Sequence, residues 1–176
     1  GSQLTTLAPF EDPLNPLLLL VDQLVEKGIR LHHIDVGGGL GIDYQGDNPP
    51  TPQAYVAAIT AKLEGRNLEI LMEPGRAMVG NAGVMLTTVE FLKQGEEKSF
   101  CIVDGAMNDL IRPALYSAWQ NIVPLEERSE GEAISYDVVG PICETGDFLG
   151  KERLLNVQPE DRLAVLSSGA YGFVMS

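Results

Sequence analysis

A cysteine followed at once by a glutamate, Cys143–Glu144, stands in "GPICETGDFLG" (140–150). A thiol beside a carboxylate suits proton transfer, and Asp147 adds a second carboxylate to a loop marked by Pro141 and Gly146. Zinc is a weak alternative, because no second cysteine or well-placed histidine accompanies Cys143. Two other stretches bear chemistry. In "IDVGGGLGIDY" (34–44) three glycines follow a short apolar run. Glycine there removes the Cβ that would hold a phosphate off the backbone N–H groups. A tight turn between strand and helix explains the same residues, and the glycines alone leave both readings open. In "EPGR" (73–76) a carboxylate and a guanidinium lie three residues apart around Pro74 and Gly75. Both heads can turn toward one pocket, or form a solvated ion pair on a surface turn.

Other polar residues carry less. Cys101, inside the apolar "SFCIV", reads as core packing. His32 and His33 are adjacent in a strand-like run, so they point to opposite faces and read as structural. Asp35, Asp43 and Asp47 match no calcium template and read as solvated loop carboxylates. Trp119 reads as packing. Tyr171, in the glycine-flanked "SSGAYGF", is a better site candidate.

The elements that must position these residues change character along the chain. Residues 12–27 have helical periodicity and stop at Gly28; "IRLHHIDV" (29–36) reads as a strand ending in the glycines. "PQAYVAAITAKLEG" (52–65) reads as a second helix, and "LEILMEPGR" (68–76) as another buried strand. Both polar motifs therefore fall on one edge of a strand–helix–strand unit. After Gly80 the strand-like segments "AGVMLTTVEFLKQG", "KSFCIVDGAM", "AISYDVVGP" and "DRLAVLSSG" dominate, with a short helical or irregular "MNDLIRPALYSAW" among them. The expected organisation is α/β over 1–80 and mostly β over 81–176. With 176 residues, a hydrophobic fraction of 44% and no apolar run of membrane-spanning length, the chain reads as a soluble globular protein. Its net charge of −13 argues against nucleic acid or an anionic membrane as partner. Two cysteines in unlike contexts suggest a reducing, cytoplasmic setting rather than a disulfide framework.

Six stretches, in order, resemble the pyridoxal-phosphate decarboxylases of the alanine-racemase-like fold type: "GSQLT", "HIDVGGGLGIDY", "EPGRAMVGNAG", "DGAMNDLIRPALY", "VVGPICETGDFL" and "SSGAYGFVMS". This is the group acting on ornithine, diaminopimelate and arginine, and the resemblance is greatest to its diaminopimelate branch. It implies the last strand–helix units of a TIM-type barrel (1–80) followed by a C-terminal β-domain (81–176). It also implies pyridoxal 5'-phosphate as cofactor, and decarboxylation of meso-2,6-diaminopimelate to L-lysine and CO2. Residue by residue, Gly37, Gly38 and Gly39 would receive the phosphate, with the Ser2 hydroxyl and the Tyr171 phenol near it. Glu73, ahead of Pro74 and Gly75, would face the pyridine nitrogen, and Arg76 would help hold phosphate and substrate. Arg112 and Tyr116 would take the distal carboxylate of the substrate. Cys143 would be the proton donor and Glu144 the partner of the distal amino group, both lent across a homodimer interface.

One departure matters. The family pattern has a Schiff-base lysine on an early barrel strand, and Lys27, Lys62, Lys93, Lys98 and Lys151 stand in no matching context. The expectation is a C-terminal portion that is inactive alone. "GSQLT" continues into the family pattern, which favours a native Gly1–Ser2 over an expression scar. A related amino-acid or polyamine-precursor decarboxylase, and a non-catalytic binding homologue, are the alternatives.

Overall fold

A computed structural model describes residues 1–176, which divide into two compact units, Gly1–Met78 and Val79–Ser176. The first holds α1 (Ala8–Glu11), α2 (Leu14–Glu26), β1 (His33–Asp35), α3 (Pro52–Lys62), β2 (Glu69–Leu71) and the start of α4 (Gly75–Val79). Leu14, Leu18 and Val21 recur on one face of α2 and are buried. Gly28 ends that helix with φ +82. Its N–H donates to Val25 O at 2.9 Å and that of Ile29 to Leu24 O at 2.9 Å, a double closure that satisfies the last carbonyls. Thr51 caps α3 by accepting from Ala54 N at 3.2 Å, and Pro52 sits where no amide hydrogen is needed. Phe10 packs edge-on against Tyr55, with ring centroids 4.6 Å apart.

β1 and β2 pair in parallel, His33 opposite Glu69 and Asp35 opposite Leu71. The strands expected over 29–36 and 68–76 are shorter than that, three residues each, and β2 is exposed on alternate residues. With one neighbour apiece, no second ladder extends or covers either strand.

The second unit opens with the end of α4 and a 3-10 turn at Gly80–Ala82. Its strands are β3 (Met85–Lys93), β4 (Ser99–Val103), β5 (Ile122–Pro124), β6 (Ile134–Val139), β7 (Phe148–Leu155) and β8 (Arg162–Val165), with α5 (Arg112–Tyr116) between β4 and β5. One sheet orders them β5-β8-β3-β4-β6-β7. All pairs are antiparallel except β4–β6. The two edge strands meet, since a Cβ on Gly150 of β7 would lie 2.8 Å from Ile122 Cδ1 of β5. The sheet is therefore nearly closed on itself. Its core is Val89, Cys101, Val103, Val138, Leu149 and Leu163, with further residues of the same faces.

Two strands had no clear signature. β5 is only three residues long. β7 is eight, but it bulges twice: from Tyr136–Arg153 to Val138–Gly150, and again to Val139–Phe148, β7 carries one extra residue each time. The first bulge resets the inward–outward alternation across Lys151 and Glu152, and Glu152 takes a φ of +55. Asp137 receives the freed Glu152 N–H at 2.9 Å.

No helix is long and apolar enough to cross a membrane. Leu163, wholly buried in β8, should cost about 2–5 kcal/mol as Leu163→Ala. Leu154→Ala, at a position 71% exposed on β7, should stay within about 0.5 kcal/mol. Urea unfolding of the two variants measures the contrast.

Candidate functional site

In the first unit the ladder continues past the strand ends. Val36 N donates to Leu71 O at 3.1 Å and Glu73 N to Gly37 O at 2.9 Å. That pairing presses Gly38 onto Glu73, where a Cβ would run into the Glu73 carbonyl. Gly37 donates its N–H to Asp35 Oδ1 at 2.8 Å, and Gly41 to Leu4 O at 3.2 Å. The N–H groups of Gly38 and Gly39 have no acceptor within the protein. Gly39 has φ +102, and a Cβ there would lie 2.9 Å from Gly1 O. Two of the three glycines thus make room for the protein's own carbonyls, whereas the sequence reading gave that room to a ligand. What remains for a ligand is the pair of unused amides.

The first residues of the chain form part of this cluster. Leu4 N donates to Gly39 O at 2.9 Å. The Gln3 amide clips Ile42 on both sides, donating to its carbonyl at 2.6 Å and accepting its N–H at 3.1 Å. Arg76, buried in α4, donates from Nε to Ser2 O at 2.7 Å and from Nη2 to Ser2 Oγ at 3.0 Å. Its Nη1 donates to the Tyr44 hydroxyl, whose ring centroid lies 5.7 Å from the guanidinium carbon. Glu73 is exposed at the same strand end, and the turn through Pro74 is closed by Gly75 N donating to Glu73 O at 2.8 Å. Ser2, Gly37, Gly38, Gly39, Glu73, Pro74, Gly75 and Arg76 are therefore gathered in one place. The ion pair between Glu73 and Arg76, one reading of "EPGR", is not formed. Tyr44 and Gln3 lay inside quoted stretches, but nothing in their spacing signalled these contacts.

In the second unit, Arg112 is buried at the start of α5 and Tyr116, four residues on, is largely exposed. Ser117, with φ +51, ends the helix. The turn before it is set by Asp109, whose Oδ2 accepts Ala106 N at 2.9 Å. Cys143 and Glu144 sit exposed at the tip of the loop joining β6 to β7. Asp147, the other carboxylate of this loop, is buried, and both its oxygens are used. Oδ1 accepts Met107 N at 2.7 Å and Oδ2 accepts Ile142 N at 2.7 Å. Tyr171 adopts the left-handed region at φ +60, uncommon for a bulky residue and a mark of local strain.

A cleft of about 590 Å³ also opens in this unit, lined by Met85, Asp104, Leu110, Ser168 and Phe173 among others. None of the expected site residues line it. Asp104 Oδ1 accepts from the Thr87 hydroxyl at 2.6 Å and from Thr88 N at 2.7 Å. These bonds, the Thr87 hydroxyl first, hold its carboxyl below the usual range.

The family model described as the C-terminal sheet domain of pyridoxal-dependent decarboxylases matches residues 18–169. The chain belongs to this decarboxylase family. A diaminopimelate decarboxylase of Vibrio cholerae is 60% identical over 177 aligned residues, covering all of this chain and 42% of the relative. A diaminopimelate decarboxylase of Helicobacter pylori, solved with L-lysine, superposes with a TM-score of 0.93 at 36% identity. It matches all of this chain and 44% of that one. An Aquifex aeolicus structure, AQ1208, gives 0.92 at 44% identity, over all of this chain and 43% of its own. The chain thus spans less than half the length of these decarboxylase relatives. The nearly closed, mostly β sheet of the second unit is the C-terminal sheet domain of the decarboxylase fold.

The two thiols of this family member differ sharply. Cys101 is wholly buried and desolvation pushes its thiol up to about 12, while Cys143 is exposed. One equivalent of a thiol reagent should react with the native chain and a second only after unfolding; mass spectrometry counts them. The depressed Asp104 carboxyl gives stability that is present above the carboxyl's unfolded pKa and lost as pH falls through its lower folded value. Melting temperature should therefore fall below about pH 4, and Asp104→Asn should remove part of that acid dependence.

Proposed function

We propose that this chain supplies the C-terminal part of a pyridoxal-phosphate carboxy-lyase that converts meso-2,6-diaminopimelate to L-lysine and CO2. The observation that carries the reading is the unused amide pair of Gly38 and Gly39 at a strand end shared with the Glu73 carboxylate. Backbone N–H groups at the end of a strand suit a phosphate monoester. A carboxylate without a protein partner suits a ring N–H. The donor set present therefore fits the cofactor, and the likeness to diaminopimelate decarboxylases supports the substrate. On this reading the first unit is the last strand–helix section of a barrel and the second the β-domain.

When bound, pyridoxal phosphate supplies an electron sink for the electron pair left on carbon as CO2 departs. The Gly38 and Gly39 amides would hold its phosphate, with Gly37 leading into them, Ser2 and Arg76 beside them and the Tyr171 phenol near the same group. Glu73, at the turn through Pro74 and Gly75, would accept the ring N–H and keep it protonated. The Arg112 fork and the Tyr116 hydroxyl would take the distal carboxylate, and Glu144 the distal ammonium. The Cys143 S–H would give its proton to the carbon that lost CO2, so that a C–H bond replaces the C–C bond, and solvent would return a proton to the thiolate. Cys143 and Glu144 would serve the partner's site in a homodimer. A cytoplasmic setting belongs to this reading, supported by two free thiols.

The test joins this chain to the N-terminal remainder of the Vibrio cholerae relative. With pyridoxal phosphate, the fusion should release CO2 from meso-diaminopimelate and not from ornithine or lysine, which lack a distal carboxylate. Arg112→Met should raise KM for diaminopimelate at least about 100-fold, since the buried recognition group is lost. The unfused chain should show no turnover. Turnover by it, or equal use of ornithine, sinks the reading.

A further inference from the structure

Resting on that reading, we propose that Asp147 is a positioning residue that sets the Cys143 thiol for its proton transfer. The loop between β6 and β7 is short and folds around this one side chain. Gly140 N donates to Asp147 O at 3.3 Å, Glu144 N to Ile142 O at 2.8 Å, and Asp147 N to Glu144 O at 3.0 Å. Backbone bonds alone leave the amide of Ile142, next to the thiol, to be held by the Asp147 carboxylate. The other oxygen reaches across to Met107 N, in the turn that leads into α5 and Arg112.

The residue type follows from the donor count. Two amides approach from two chain segments, and both need an acceptor. A carboxylate presents two; an asparagine of the same shape presents one acceptor and turns a donor toward the other amide. Gly140 shows how tightly the peg is seated. A Cβ there would lie 2.6 Å from Asp147 Oδ2 and 2.6 Å from Gly105 O. Burying a carboxylate without a cation is costly unless its lone pairs are filled, and here amides from both segments fill them. A loop that only had to connect β6 to β7 has no need of such a group. A loop that must hold an exposed thiol at one place relative to Arg112's segment does.

The experiment compares Asp147→Asn and Asp147→Ala with the unaltered protein. In the 176-residue chain, amide hydrogen exchange is followed in residues 141–146 and at Met107, with β4 and β6 as internal controls. Exchange in the loop should speed at least tenfold in Asp147→Asn while the controls are unchanged. In the fusion enzyme the same variant should lower kcat at least tenfold with KM for diaminopimelate changed less than threefold, and Cys143→Ala should lower kcat further. Unchanged loop exchange overturns the clamp. A looser loop with unaltered kcat overturns its role in catalysis. Loop and controls loosening together, in both variants, marks Asp147 as a general stabiliser and also overturns the proposal. If Cys143→Ala leaves kcat unaltered, the assignment of the proton donor fails instead, and that outcome is separable from the others.

Discussion

Backbone touching backbone is the constraint on which both functional clusters depend. Gly38 lies against the Glu73 carbonyl in the first unit, and Gly140 lies between the Asp147 carboxylate and the Gly105 carbonyl in the second. In each case a side chain would force apart the two segments that carry the candidate residues. The parallel pair β1–β2 delivers Gly37 and Glu73 to one strand end only because its ladder runs on past Asp35 and Leu71. A one-residue slip of that register would turn the exposed and covered faces around and move Glu73 away from the unused amides. The antiparallel β6–β7 pair does the same for Cys143, with two register shifts that absorb the extra residues of β7.

Much of this was legible in the chain. The positions of α2, α3, β3, β4, β6 and β8 followed from apolar period or from short apolar runs bounded by turn residues, the latter at β6 and β8, which bury consecutive residues. β7 was hidden by its first bulge, which sets Lys151 and Glu152 side by side on the solvent side and breaks the two-residue alternation. The glycines were visible, but their cause was not. Sequence shows that a Cβ is missing, not which atom stands in its place, and at Gly38 and Gly39 that atom belongs to the protein. The part Asp147 plays was hidden for the same reason: its place in the loop was visible, but its two amide donors, one of them far away in sequence at Met107, were not.

The candidate site residues divide by burial in a way that their types alone do not announce. Arg76 and Arg112 are buried, while Glu73, Tyr116, Cys143 and Glu144 are exposed. In a chain of net charge −13, burial also keeps these guanidiniums apart from the exposed carboxylates. The exposed thiol and carboxylates remain open to solvent until something covers them. The two guanidiniums would thus be fixed in advance, while the Cys143 thiol would sit at a loop tip whose base is pinned.

That arrangement places the burden of precision on residues that never meet a ligand. Gln3 fixes Leu40–Ile42 beside the glycines, Asp35 holds Gly37, Asp109 sets the turn before Arg112, and Asp147 holds Ile142. Each is a short polar side chain accepting backbone N–H groups, an interaction worth more to geometry than to stability, since water would satisfy the same amides in the unfolded chain. Loops built this way are cheap to open and well defined when closed. A misplacement of about 1 Å at a reacting group costs on the order of 100-fold in rate. The polar pins at the loop bases, more than the sheet core beneath them, are therefore where small substitutions would separate activity from folding.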